Sequence, residues 1–218
     1  MGKMIYLVSN TPYDDNDIVW LNLCKIKFFK FDVNLNKFDA IIVTSKNSIN
    51  ALKFNSVSLT DILVFAIGRA TALACKEFGF TQIYEAKNSH GSEFGAEILE
   101  KLYGKKVLFI KAKETVSNLD IYFSQNGIDI TVVDGYENLI LNPNDIKKPE
   151  PNSTIIFTSP MNTRAFIQNF GWDKSYQAVA IGKATAAALS SYCDNIIISN
   201  TQNLKSCIEL AKNISLSS

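Results

Sequence analysis

The sequence predicts an α/β protein with two similar lobes, each a parallel sheet flanked by helices. Strand-like runs alternate with helical patterns almost to the end of the chain, as a parallel sheet with crossover helices requires. Two motifs also occur twice in one register. Ile41-Ile42-Val43-Thr44-Ser45 returns as Ile155-Ile156-Phe157-Thr158-Ser159, and Ala66-Ile67-Gly68-Arg69-Ala70-Thr71-Ala72 returns as Ala180-Ile181-Gly182-Lys183-Ala184-Thr185-Ala186, both at an offset of 155 − 41 = 180 − 66 = 114 residues. Finally, 218 residues with 47% hydrophobic and 20% charged side chains suffice for one large or two small cores. A duplicated α/β unit implies two lobes with a cleft between them.

The elements follow in order. Met4-Ile5-Tyr6-Leu7-Val8 predicts a strand over 4–9, with a helix over 14–24 after it. An extended segment over 28–33 leads into the polar connection 34–37 instead of a helix. The first copies of the repeated runs give strands 40–44 and 63–67 and helices 46–53 and 70–79. Strand 82–85 with helix 92–103, and strand 107–110 with helix 115–126, continue the alternation. A second extended segment, 128–136, ends in the stretch 142–152, where Pro143, Pro149 and Pro151 mark a linker. The second copies supply strands 154–158, 178–181 and 195–198 and helices 162–170, 184–192 and 203–214. Written as a repeat, 4–8 corresponds to 107–111 and 28–33 to 128–133.

Composition excludes several function classes. A net charge of +1 gives no bulk field for nucleic acid or a membrane surface. The longest apolar run, 62–67, is far too short to span a bilayer. The first six residues hold no signal-peptide core, and Tyr6 stands where a myristoylation signal has Ser or Thr, so a cytoplasmic protein is expected. Cys24, Cys75, Cys193 and Cys207 form no C-x-x-C pair. Three fall on or near apolar faces of predicted helices and Cys24 closes the first helix, so buried inert thiols are expected. The single histidine, His90, sits in a polar stretch. One histidine and scattered cysteines do not make a zinc or iron site, and no Gly-x-Ser-x-Gly elbow accompanies a triad. Phosphate-binding loops of the G-x-x-x-x-G-K-[ST] and G-x-G-x-x-G types are absent, and Phe28, Phe29 and Phe31 read as packing.

The chemistry-bearing residues collect at strand-to-helix turns. Gly68 and Gly182 end a strand and open a helix, where glycine permits a tight turn and close ligand approach. Thr71 and Thr185 sit one turn on, and Thr44, Ser45, Thr158 and Ser159 occupy the other repeated turn. Ordinary capping explains such hydroxyls as readily as a ligand does. The cations tip the balance. Lys46, Arg69, Lys111, Lys113 and Lys183 lie at these turns, where a positive side chain opposes the helix dipole at a cost of up to about 1 kcal/mol. Their recurrence points to a ligand with several negative groups, bound at the carboxyl ends of the strands. Solvated lysines are the alternative, particularly for Lys46 and Lys113.

In order and spacing the chain resembles the uroporphyrinogen-III synthase family. The residues that carry the resemblance are Ile41 to Asn47 and Phe65 to Ala72, then Asp134-Gly135-Tyr136-Glu137-Asn138, Ile155 to Pro160 and Ala180 to Ala186. The resemblance implies two α/β lobes joined by a two-stranded connector. It implies a discontinuous domain of 1–26 plus 138–218, a second of 38–127, and connecting strands over 27–37 and 128–137. The implied reaction closes the linear tetrapyrrole hydroxymethylbilane into uroporphyrinogen III, inverting the last pyrrole ring and losing water, with no metal or organic cofactor. Loss of the terminal hydroxyl gives an azafulvene, which is attacked through a spiro intermediate and rearranges. The substrate carries acetate and propionate groups on every ring, a polyanion suited to helix N-termini and scattered cations.

By the same resemblance Tyr136 is the candidate catalytic donor to the departing hydroxyl, an aromatic filling a strand end being the alternative. Thr44, Ser45, Lys46, Gly68, Arg69, Thr71, Lys111, Ser159, Gly182, Lys183 and Thr185 are the expected substrate-binding residues. Ser9 and Asn10 replace an arginine frequent in the family, and Lys111 stands where arginine is frequent; lysine lacks the bidentate carboxylate contact. A monomer is expected, with handover of substrate from hydroxymethylbilane synthase. Two other readings compete: a non-catalytic two-lobed binding protein for an acidic small molecule, and a nucleotide-dependent transferase, which the missing phosphate loops disfavour.

Overall fold

The computed structural model describes residues 3–87, 91–115 and 117–216, so His90 lies outside the described residues. Its elements in chain order are β1 (Ile5–Val8), β2 (Ile18–Leu21), β3 (Cys24–Phe28), β4 (Ala40–Val43), α1 (Lys46–Phe54), β5 (Leu63–Ala66), α2 (Gly68–Phe78), β6 (Ile83–Glu85), α3 (Gly91–Leu102), β7 (Lys106–Ala112) and α4 (Leu119–Gln125). They continue with β8 (Asp129–Ile140), β9 (Thr154–Phe157), α5 (Pro160–Phe170), β10 (Gln177–Ala180), α6 (Lys183–Leu189), β11 (Ile196–Ile198) and α7 (Leu204–Leu216). The chain packs as two compact units, Met1–Lys25 with Asn138–Ser218, and Ile26–Glu137. β3 and β8 both cross that division.

In the unit of Ile26–Glu137, the sheet runs β3-β8-β7-β4-β5-β6. β4, β5, β6, β7 and β8 pair parallel. Strands buried on both sides read as continuous apolar runs, as Ala40–Val43 does with every residue buried. One face packs Ile41, Val43, Leu108 and Ile110 against Ile49 and Leu52 of α1 and Cys75 of α2. The other packs Ile42, Phe65, Val107 and Phe109 against Phe94 and Ile98 of α3 and Phe123 of α4.

The other unit repeats the plan on the sheet β11-β10-β9-β1-β2, whose pairs are all parallel. Val8, Ile155, Phe157 and Ala178 face α5 and α6 through Phe166 and Leu189. Leu7, Ile156 and Val179 face α7 through Cys207 and Ile208.

Several expectations are corrected by the fold. The helix expected over 14–24 is absent; residues 18–21 and 24–28 form β2 and β3 instead. The run Ile18-Val19-Trp20-Leu21 is β-branched and aromatic, and Asp15 ends the preceding turn by accepting the Asp17 backbone N–H at 2.9 Å. The extended segment expected over 28–33 begins earlier and ends at Phe28, while β2 is the strand that pairs with β1 as β8 pairs with β7. The repeat also shifts by one residue. Ile5 pairs with Thr154 and Val107 with Ala40, and 154 − 40 = 114, so Ile5, not Met4, is the counterpart of Val107. A one-residue slip changes which face of a sheet a side chain meets.

The helix expected over 115–126 is confined to Leu119–Gln125. Cys24 lies in β3 rather than at a helix end, and Cys193 lies beyond α6, half-buried; Cys24, Cys75 and Cys207 are buried, and all four thiols are free. Burial pushes the Cys24 thiol up to about 11 and that of Cys75 up to about 12, which suits inert core residues.

Candidate active site

β4 delivers Thr44 and Ser45 to the start of α1. Ser45 is the N-cap, its hydroxyl oxygen accepting the Asn47 backbone N–H at 3.1 Å. Three residues on, Ser48 is wholly buried and donates its hydroxyl to the Ile110 carbonyl oxygen of β7 at 2.7 Å. Lys46, the first residue of α1, is exposed.

Tyr136 reaches this helix start because of an irregularity in β8. Lys111 pairs with Asp134 but the next residue, Ala112, pairs with Tyr136, leaving Gly135 as the extra residue of a bulge. A bulge re-aims the side chains beyond it. Lys111 and Asp134 form an ion pair at 3.4 Å, and Lys111 also meets Asp120 of α4 at 3.5 Å. Tyr136 instead turns toward the start of α1, where the hydroxyls of the N-cap Ser45 and of Ser48 act on its phenol. Glycine at 135 is required by proximity, since a Cβ there would lie 2.8 Å from Ile110 Cγ2 and 3.0 Å from Ala51 Cβ.

The phenol is buried, with 4% of its residue surface exposed, and its ring stands 6.4 Å from that of Phe28. Burial pushes its pKa above the ordinary tyrosine value, and the two serine hydroxyls oppose this without reversing it. Tyr136 is therefore a protonated donor at neutral pH. It sits at the positive end of a nine-residue helix, where an oxyanion left by proton loss would be stabilised.

The remaining expected residues fall into three groups. Arg69 and Lys183 are exposed at the starts of α2 and α6, and with Lys46 they form no ion pair among the described residues. Gly68 opens α2 at φ +68°, a left-handed conformation that favours glycine. Gly182 is the extended N-cap of α6, and Gln202 would lie 3.2 Å from a Cβ there. Thr71 and Thr185 are buried beneath their helix starts. Lys111 is the departure: it is buried, two carboxylates already meet its charge, and its ammonium also donates to the Ala112 carbonyl at 3.4 Å. Lys113, another turn cation, shares Glu137 with Lys27, at 3.8 and 3.2 Å.

At the start of α5 the counterpart turn is built differently. Ser159 caps α5 by accepting the Asn162 backbone N–H at 3.1 Å. Thr158 donates to the Val8 carbonyl at 2.9 Å and accepts from Asn162 Nδ2 at 2.8 Å. Asn162 Oδ1 is buried without a hydrogen-bond partner among the described residues. Sequence reasoning missed Ser48 and Asn162; both lie three residues after a repeated N-cap serine, at 48 + 114 = 162, and that position was the available signal.

Among the described residues no helix is long and apolar enough to cross a membrane, and no three potential metal-ligating His, Cys, Asp or Glu side chains cluster.

The family model described as uroporphyrinogen-III synthase HemD matches residues 18–209. The chain belongs to that family. Its fold is similar to that of uroporphyrinogen-III synthetase from Helicobacter pylori, at 27% identity and a TM-score of 0.78, covering 97% of this chain and 99% of that one. A mutant uroporphyrinogen III synthase from the extremely thermophilic bacterium Thermus thermophilus shares the fold at 13% identity and a TM-score of 0.61, covering 98% of each chain. No curated protein matches the sequence. Members of the uroporphyrinogen-III synthase family are enzymes of haem biosynthesis, and this chain is one of them.

Proposed function

We propose that this chain closes hydroxymethylbilane into uroporphyrinogen III with Tyr136 as the proton donor to the departing hydroxyl. The observation that carries the assignment of Tyr136 is its buried phenol just past the bulge of β8, kept protonated by burial. Breaking the terminal C–O bond leaves its electron pair on oxygen, which takes the phenol proton and departs as water. The azafulvenium cation that remains is folded for attack at the substituted carbon of the last ring, and the proton lost after ring closure returns to the phenolate. Holding a flexible chain in that geometry lowers a barrier by several kcal/mol, on the order of what orientation supplies in bound reactions.

Carboxylates of the substrate suit the exposed Lys46 and Arg69 of one unit and, at the carboxyl ends of the other sheet, Lys183 with the turns at Ser159 and Gly182. Thr44 and Gly68 line the corresponding turns of the first of these units. Thr71 and Thr185 support those turns from within. Lys111 is assigned to the Asp120–Asp134 cluster in preference to the substrate. The same proposal takes 1–26 with 138–218 and 38–127 as the domains, with 27–37 and 128–137 as connectors. It also takes the protein to be a cytoplasmic monomer that receives substrate from hydroxymethylbilane synthase.

The test is a product assay. Hydroxymethylbilane generated in situ by its own synthase is given to the purified protein without added metal, and the oxidised porphyrin isomers are separated. Predominant type III isomer is expected; type I alone, the product of undirected closure, would remove the reading and favour a non-catalytic binder of acidic molecules.

A further inference from the structure

Lys111 is a buried cation that no step of the reaction uses. Its Nζ lies 3.4 Å from Asp134 Oδ1 and 3.5 Å from Asp120 Oδ2. It also donates to the carbonyl oxygens of Ala112 at 3.4 Å and Lys113 at 3.5 Å. A buried ammonium is costly unless such partners surround it, so these contacts fix the side chain in place. Three protons already face four oxygens, which leaves none for a substrate carboxylate.

The contacts straddle the bulge that aims Tyr136. Asp134 is the residue before Gly135 on β8 and is the register partner of Lys111 itself. Past the bulge, the Lys113 backbone N–H donates to the Tyr136 carbonyl at 2.8 Å. One ammonium thus holds β8 before the extra residue through Asp134, and after it through the Lys113 backbone that bonds Tyr136. Asp120 ties the first turn of α4 to the same point. Register decides what the phenol meets. Closing the bulge would pair Ala112 with Gly135 and turn Tyr136 to the opposite face of the sheet. Glycine at 135 permits the bulge but has no side chain with which to hold it.

We propose, resting on the reading of Tyr136 as the proton donor, that Lys111 is a positioning residue: it clamps both sides of the Gly135 bulge and so keeps the Tyr136 phenol aimed for proton transfer. A misaimed phenol slows that transfer without weakening substrate binding, so the effect belongs in kcat and not in KM.

The experiment is a double-mutant cycle on kcat and KM with Lys111→Met, Tyr136→Phe and the pair, each checked for folding by thermal unfolding. Lys111→Met is expected to lower kcat about tenfold with KM within about twofold. In the Tyr136→Phe background the same change is expected to lower kcat less than about twofold, because no phenol remains to be aimed. Lys111→Arg keeps the charge between the two carboxylates and is expected to restore most of the rate. Amide hydrogen exchange reads the clamp without catalysis: the Lys113 N–H is expected to exchange about tenfold faster in Lys111→Met. Should that variant fail to fold, Asp134→Asn, at an exposed residue, takes its place in the cycle. A raised KM that persists without the phenol would mean a substrate contact, and equal kcat losses in both backgrounds a merely structural lysine; either overturns the inference. Unchanged exchange at Lys113, or a full-rate Lys111→Met beside a slow Tyr136→Phe, overturns this inference alone. A full-rate Tyr136→Phe removes the Tyr136 reading and this inference with it.

Discussion

The turn after β4 and the turn after β9 descend from one sequence pattern, Thr-Ser followed by a helix, yet they spend their hydrogen bonds differently. In both, a hydroxyl is given to a carbonyl of the neighbouring strand, Ile110 in one unit and Val8 in the other. In the first case the donor is Ser48, three residues into the turn; in the second it is Thr158, whose oxygen also accepts from Asn162. Counting from the paired residues Val133 and Leu21, Tyr136 (136 − 133 = 3) corresponds to Cys24 (24 − 21 = 3). Cys24 is a buried thiol that contacts the Met161 carbonyl at 3.7 Å. One copy of the turn ends in an ionisable phenol at a helix start; the other closes on itself. A duplicated scaffold can thus retain its caps in both copies and keep chemistry in one.

The sharpest way to break this comparison is to remove each member of the pair. Tyr136→Phe is expected to lower kcat by about a hundredfold, the usual scale of general acid catalysis, while Cys24→Ala leaves kcat within about twofold in steady-state assays. Equal effects would mean that the two turns do not differ in role. Gly135→Ala forces a methyl group to within 3.0 Å of Ile110 and Ala51, so a loss of about 1–3 kcal/mol is expected in urea unfolding. The bulge has no glycine at the matching place in the other unit, where Leu23 is buried, and Leu23→Ala should cost a comparable amount by leaving a cavity instead.

Alkaline stability sharpens the comparison through the thiols. Unfolded thiols ionise near 9, whereas burial raises Cys24 to about 11 and Cys75 to about 12. Because the folded values are raised, the stabilising contribution is full below about pH 9 and is lost as pH climbs through the folded values. Stability measured by denaturant titration should fall steadily from about pH 9 upward. Cys75→Ala should flatten that fall more than Cys24→Ala does. The smallest effect is expected from Asn162→Ser, which copies the Ser48 position. It loses the bond to Thr158 but also the unpartnered Oδ1, and the two offset to within about 1 kcal/mol.

The sequence made the scaffold legible where β-branched runs met capping residues. β4, β5, β9 and β10 and the helices after them fall where the repeat placed them, because N-cap Ser45 and Ser159 and the glycines at 68 and 182 are local signals. It misled at 14–24, where apolar spacing suited a helix but Ile18 to Leu21 found a parallel partner in β1; pairing is a long-range property. The missing helix also explains the mistaken repeat, since α4 has no counterpart between β1 and β2. Of the candidate site, Tyr136 was reached through resemblance alone. Ser48 could not be, for a buried serine three residues into a helix looks like any other until the fold brings the Ile110 carbonyl to its hydroxyl. The sequence could not show that Lys111 pairs with Asp120 and Asp134, because both lie on other elements.

The measurement that bears most directly on the central claim is the rate of type III uroporphyrinogen formation from hydroxymethylbilane by the wild type and by Tyr136→Phe, with isomers separated at each time point. The expected result is type III isomer from both proteins and a markedly lower rate from the variant, since the phenol supplies a proton while the fold directs the closure. Equal rates, or type I isomer alone from the wild type, would contradict the account.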